Sequence, residues 1–237
     1  MKIEELEAKV KILENQIRTV KDIQEIEKLQ RIYGYYLEHW MVPEILDLFS
    51  GSPDVALEWP EGTYLGQYGV KRYFEGDGTW NKQNDPELLH QLMQVSPVID
   101  IDPDGETAQG RWYSFGGVAK PIGGGVKQGF MSGTYENEYI KEGGKWKIKR
   151  IRWMLNFWAT PAEGWVKPER VVAIDPRAKL TEPKPDIPPS DFDTSYPSGY
   201  IFPFHYKHPI TCKKTTEEQY NAALRRAKGK ESGSQAQ

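Results

Sequence analysis

The feature that most constrains this chain is a change of hydrophobic period near residue 50. Before it, apolar residues recur every three or four positions, as on a helix. After it, segments 88–101, 107–118, 126–140 and 145–158 alternate apolar and polar residues with a period of two. DPDGE, a glycine-rich loop and KEGGK separate the four segments, and each suits a hairpin. Between the two regimes, VALEW (55–59) and GTYLG predict short strands, and YGVKRYFEG predicts a helix stopped by Gly76 and Gly78. Helices followed by long consecutive strands form the α+β order. The expected architecture is a strongly curved antiparallel sheet wrapped around helices as a cone with an open mouth.

The first helix is expected to run to about Trp40, with a short helical turn from Pro43 to near Phe49. Its opening turns carry Ile3, Leu6, Val10, Leu13, Ile17 and Val20 at alternating spacings of three and four. This is a heptad seam with β-branched residues at one position and mostly leucine at the other. The positions between are nearly all Lys, Glu, Gln and Asn. The seam therefore either docks along its own domain or clasps a second subunit, and self-association as a dimer or trimer is expected.

From about Thr160 the chain changes again, because prolines at 161, 168, 176, 183, 185, 188, 189, 197, 203 and 209 exclude most regular structure. SGYIFPFHYKHP (198–209) is too aromatic to be pure disorder and should pack against the domain or a neighbour. The expected organisation is an N-terminal heptad helix (1–21), one globular domain (22–160) and a C-terminal arm and polar tail (161–237), whose last twenty or so residues should fray.

Composition excludes several function classes. With 31 basic and 34 acidic residues there is no basic stripe interleaved with aromatics, so nucleic acid is not an expected partner. No apolar run approaches the roughly 20 residues that span a bilayer, so no membrane role is expected. A lone cysteine, Cys212, and a charged helical start instead of an apolar leader make the cytoplasm the expected compartment. The excess is aromatic, with 8 Trp, 13 Tyr and 8 Phe. Aromatic walls suit flat aromatic ligands.

Three motifs invite functional readings that fail. Asp100, Asp102, Asp104 and Gly105 imitate a calcium loop, but Arg111 stands where its bidentate glutamate belongs. The glycines at 123–125 lack the Lys and Ser/Thr of a phosphate loop. His205 and His208 have no third metal ligand placed with them and are read as arm packing or as pocket lids. No metal site is expected.

The segments LQRIYGYYLEHWMVPEILDLFSGSPDVALEW, GTYLGQYGVKRYF, LLHQLMQVSPVIDIDPDGETAQGRWYSF and GTYENEYIKEGGKWKIKRIRW resemble the successive parts of the SnoaL-like branch of the nuclear-transport-factor-2-like superfamily, over roughly residues 22–158. The resemblance implies the same cone, and chemistry without a cofactor: dehydratases, isomerases and cyclases, alongside plain binding modules. In dehydratases of this type a helix tyrosine, an acid five residues later and a strand histidine converge inside the cone. By position these are Tyr33, Glu38 (where aspartate is usual) and His90. If His90 and Glu38 meet, the carboxylate fixes the imidazole tautomer and raises its basicity. Candidate substrate contacts are Tyr36, Trp59, Arg111, Tyr113, Trp153, Asn156 and Phe157. Arg111 and Tyr113 share one strand face, and Arg111 is either an inward anion contact or a rim arginine in an ion pair. The proline- and aromatic-rich arm further resembles that of lyases that remove formaldehyde from diarylpropane diols. The expected activity is thus a cofactor-free lyase acting on an aromatic small molecule; a ketosteroid-type isomerase and a noncatalytic binding module are the alternatives.

Overall fold

A computed structural model describes residues 2–76, 86–122, 125–162, 183–189, 195 and 200–214. The elements follow in the order α1 (Ile3–Glu38), α2 (Val42–Asp47), β1 (Ala56–Trp59), β2 (Gly62–Leu65), α3 (Gly66–Gly76), β3 (Leu89–Ile101), β4 (Thr107–Ile122), β5 (Gly125–Glu142) and β6 (Lys145–Ala159). Helices precede a run of long strands, as the change of period predicts. The six strands form one curved, unclosed sheet in the order β2-β1-β6-β5-β4-β3, with the helices against it. One pairing departs from the antiparallel expectation: β1 runs parallel to β6, with Leu57 opposite Ile151. No hairpin joins these two strands, so chain connectivity does not force them antiparallel.

Two features help the sheet to curve. Bulges interrupt the register at Val95/Val98, Ser132/Gly133 and Glu138/Tyr139; within the first, Ser96 takes a positive φ of 54° ahead of Pro97. Glycines also stand where neighbours approach the sheet closely. At Gly133 a Cβ would lie 2.1 Å from the Trp153 indole, and at Gly116 one would lie 1.6 Å from the Gln91 carbonyl oxygen of β3. The second obstacle is backbone and cannot rotate away. Gly116→Ala is expected to cost about 3 kcal/mol, the upper part of the range for overpacking, read as a lower urea midpoint; an unchanged midpoint would show that β3 can retreat freely.

The face of the sheet toward α1 carries the core. Trp112, Tyr33, Tyr64, Tyr135, Tyr139 and Phe74 are the largest fully buried side chains. Along α1, burial begins at Asp22 and continues through Ile26, Gln30, Tyr33 and Leu37, at spacings of three and four that keep one face on the sheet. Asp22 accepts hydrogen bonds from Lys141 Nζ (2.8 Å) and Trp146 Nε1 (2.9 Å). Residues 2–21 are all exposed.

The described parts of the arm lie on their own domain. Residues 183–189 cover the edge strand β2: Thr63 N–H donates to Ile187 O at 2.8 Å, Tyr64 donates to Pro183 O at 2.9 Å, and Asp186 pairs with Arg72 at 2.8 Å. An edge that could template another chain is thereby occupied. Residues 202–206 lie against the outer sheet face, with Phe202 buried, and residues 207–214 are exposed. The polar tail expected to fray lies outside the described residues. Among the described residues no helix is long and apolar enough to cross a membrane.

Candidate functional site

Where α1 crosses the sheet, its polar residues are satisfied by strand side chains. Gln30, fully buried, accepts from Tyr139 Oη at 2.8 Å and Asn137 Nδ2 at 3.0 Å, and donates to Gln94 at 2.7 Å. Trp112 Nε1 donates to Tyr139 Oη at 3.0 Å. Every member has a partner, so the network holds the helix in register and is structural in character.

One turn further along, the core becomes aromatic. Ring contacts run from Tyr33 to Tyr135 (6.4 Å), Tyr135 to Trp59 (6.3 Å), Trp59 to Tyr73 (5.9 Å) and Tyr73 to Trp40 (6.5 Å). They return from Trp40 through Phe74 (5.7 Å) and Phe49 (6.2 Å) to Tyr33 (6.4 Å). The result is a closed collar of aromatic rings contributed by α1, α3, β1, β5 and the segments flanking α2. Trp153 joins it 5.5 Å from Trp59, its own Nε1 donating to Ser114 Oγ at 2.8 Å. Two buried donors in the collar, Tyr33 Oη and Trp59 Nε1, make no hydrogen bond of standard geometry with a described residue, the Tyr33 hydroxyl having only that of Tyr135 beside it. An unmet buried donor is costly and rare in a native interior, so each invites an acceptor.

His90 sits at the start of β3, edge-on to Trp40 at 6.2 Å. It shares the inward register of Leu92, which is buried, and Gln94, which reaches Gln30. Trp40 is held there by its own φ of 51° and by donation from its indole to Phe74 O at 3.1 Å. Burial lowers the imidazole pKa from 6.5 to about 4, so His90 is neutral near pH 7. Burial, and next to it Tyr135, push the Tyr33 phenol well above its ordinary 10, so it keeps its proton. Environment thus separates a proton holder from a proton acceptor.

The lowered His90 value has a consequence for stability. Between pH 6.5 and 4 the unfolded chain takes up a proton at this residue that the folded chain does not. Stability present above pH 6.5 is therefore lost as the pH falls toward 4, by up to about 3 kcal/mol. His90→Gln should narrow the difference between urea midpoints at pH 7 and pH 4.5; the same difference in variant and parent would refute the assignment.

The other expected site residues fall in different places. Glu38, half-buried on the last turn of α1, makes no hydrogen bond or ion pair with a described residue, so the carboxylate–imidazole bond does not form here. Tyr36 packs against the core. Arg111 and Tyr113 do share a strand face, but it is the outer one, opposite Trp112. Arg111 pairs there with Glu136 (2.5 Å), donates to Pro203 O (3.0 Å) and stacks on Phe204 (4.4 Å), while Glu136 also binds His205. The structure contains neither an inward arginine nor an exposed rim pair: the even-numbered residues of β4 take the core face, and the Arg111–Glu136 pair lies on the outer face beneath the arm, its side chains 11% and 10% exposed. Asn156 bonds to Thr134 and Ser132, both outward, and Phe157 stands opposite Ser132 in the register.

Sequence reading missed Tyr135, Tyr73, Trp40, Phe74 and Phe49 as collar members. Tyr135 could have been found from strand alternation, since it lies two residues from Gly133 and four from Tyr139 on one face. The position of Trp40 depends on a left-handed backbone that no pattern announces.

Comparison with known proteins gives a family. Residues 18–152 match the family model described as a SnoaL-like domain. Among curated proteins no match was found. Among solved structures, a Novosphingobium aromaticivorans DSM 12444 protein provisionally assigned as a scytalone dehydratase is similar at 20% identity, covering 61% of this chain and 90% of its own, with a TM-score of 0.51. Hexachlorocyclohexane dehydrochlorinase LinA-type3 from Novosphingobium barchaimii LL02 is similar at 15% identity, 61% and 90% coverage, and a TM-score of 0.44.

Proposed function

Because the chain belongs to the SnoaL-like domain family, in which the surroundings of one interior site decide the chemistry, we propose that it is a cofactor-independent lyase acting on an oxygenated aromatic small molecule. The observation that carries this reading is the aromatic collar with two unmet buried donors, Tyr33 Oη and Trp59 Nε1, and a neutral His90 in edge contact with it. Rings favour a flat, apolar ligand, and the donors require oxygen acceptors on it. The absence of a fixed charge in the collar suits a reaction that begins and ends neutral.

The substrate we propose is a diarylpropane diol. His90 accepts the proton of the terminal hydroxyl, whose oxygen forms the carbonyl of formaldehyde as the adjacent carbon–carbon bond breaks. That electron pair becomes the alkene of a stilbene and expels the benzylic hydroxyl, which leaves as water with a proton supplied from the Tyr33 side. The proton held by His90 restores Tyr33 after release, so atoms and electrons balance without an external oxidant. Each positioned acid or base is typically worth ~10² to 10⁴ in rate. Glu38 takes no step in this mechanism, because it makes no hydrogen bond or ion pair with His90.

The test is incubation of the purified protein with such a diol and, separately, with a dehydratable hydroxylated bicyclic ketone. Formaldehyde and stilbene absorbance are followed in the first, water loss in the second. Turnover lost in His90→Gln with binding retained is expected. Activity indifferent to His90 but abolished by Glu38→Gln would instead indicate an isomerase-type carboxylate base, and binding without turnover of any substrate would reduce the protein to a binding module.

A further inference from the structure

The first half of α1 contributes nothing to the site, and its seam is not packed against any described residue. Seven large apolar side chains stand exposed along it, and all but Ile12 form one seam: Ile3 (76%), Leu6 (47%), Val10 (46%), Leu13 (56%), Ile17 (55%) and Val20 (55%). The helix first meets the domain at Asp22, so at 1.5 Å per residue it projects by about 28 Å. A lone helix of this length is marginal in water, because its stability ordinarily comes from packing one apolar face. A continuous seam that stays exposed in the monomer has the form of half an interface.

We infer that residues 3–20 pair with the same segment of a second copy of this chain as a parallel, two-stranded coiled coil. Three features select this occupant. The seam is heptad, with β-branched Ile3, Val10 and Ile17 at the first core position and Leu6, Leu13 and Val20 at the second, the distribution that favours two parallel strands. The flanking charges match in that arrangement: Lys2 faces Glu7 of the partner subunit, and Lys9 faces Glu14 of the partner subunit. An antiparallel register would instead set Glu7 beside Glu14 of the partner subunit, like charge against like. The remaining positions are Glu4, Glu5, Ala8, Lys11, Asn15, Arg18 and Thr19, a solvent face that only Ile12 interrupts.

The experiment uses the full chain with Cys212→Ser, so that no native thiol competes. In the parallel register Leu13 meets Leu13 of the partner subunit, and Leu13→Cys should form an interchain disulfide under mild oxidation. Light scattering of the parent should give a two-chain mass, and Val10→Lys with Leu13→Lys should lower it at least tenfold in apparent affinity. Near-UV circular dichroism should not change, because neither residue touches the domain. Glu14→Lys should weaken pairing and the exchange Lys9→Glu with Glu14→Lys should restore it. A monomeric parent, a three-chain mass, a mass indifferent to the seam substitutions, or a Leu13→Cys protein that fails to cross-link would each overturn the inference.

Discussion

Tyr33→Phe is expected to lower turnover by about 10² to 10⁴-fold while leaving the protein as stable as before, or slightly more stable. The two halves of this result have different physical origins. The loss follows from the proposed role of the phenol as the retained proton at the leaving group. The unchanged stability follows from the structure, in which the Tyr33 hydroxyl is buried without a hydrogen bond of standard geometry to a described residue and the ring makes edge contacts with Tyr135 and Phe49. Removing this hydroxyl while keeping the ring deletes a desolvation cost and only a weak contact with the Tyr135 hydroxyl. Parallel measurement of kcat on the diol and of the urea midpoint separates the two. An unfolding free energy lowered by more than about 1 kcal/mol with activity intact would make Tyr33 a structural residue and remove the acid from the mechanism.

Asp22→Ala should be the most damaging single change to stability, at about 3–5 kcal/mol. Asp22 is where α1 meets the sheet. Its side chain is 8% exposed and that of its partner Lys141 is 13% exposed. Truncation leaves the Lys141 ammonium buried against Trp146 without its counter-ion, and leaves the Trp146 indole without its acceptor. Replacing both charged partners by apolar residues of similar volume, as in Asp22→Leu with Lys141→Met, should recover much of the loss. Most of the penalty lies in stranding one charge and less in losing the pair. The check is chemical denaturation of the three variants. A single-mutant loss below about 1 kcal/mol would show that water reaches Lys141 and that the helix is held mainly by the Gln30 network.

Much of the architecture was legible because two periods carry it. The strand expected at 145–158 is β6, Lys145–Ala159, and the helix expected from YGVKRYFEG is α3, Gly66–Gly76. Alternation also assigned Arg111 and Tyr113 to one face of β4. It could not say which face, since Trp112 and Ser114 on the other are equally able to pack, and the arm that satisfies Arg111 arrives from far along the chain through Phe202, Pro203 and His205. For the candidate site, position along the chain located Tyr33 and His90 but not their surroundings. A separation of five residues on a helix turns Glu38 well away from Tyr33, and only the path of the sheet decides whether His90 follows one or the other.

Local chemistry alone, through side-chain period, turn residues and proline density, therefore determined the order of helices and strands, the exposed seam and the change to an arm. The collar of rings, the two donors left without acceptors and the neutral state of His90 were decided only in three dimensions. Each depends on groups from distant segments excluding water together, and that exclusion, which sets both hydrogen-bond need and protonation, is not a property of any single stretch of chain.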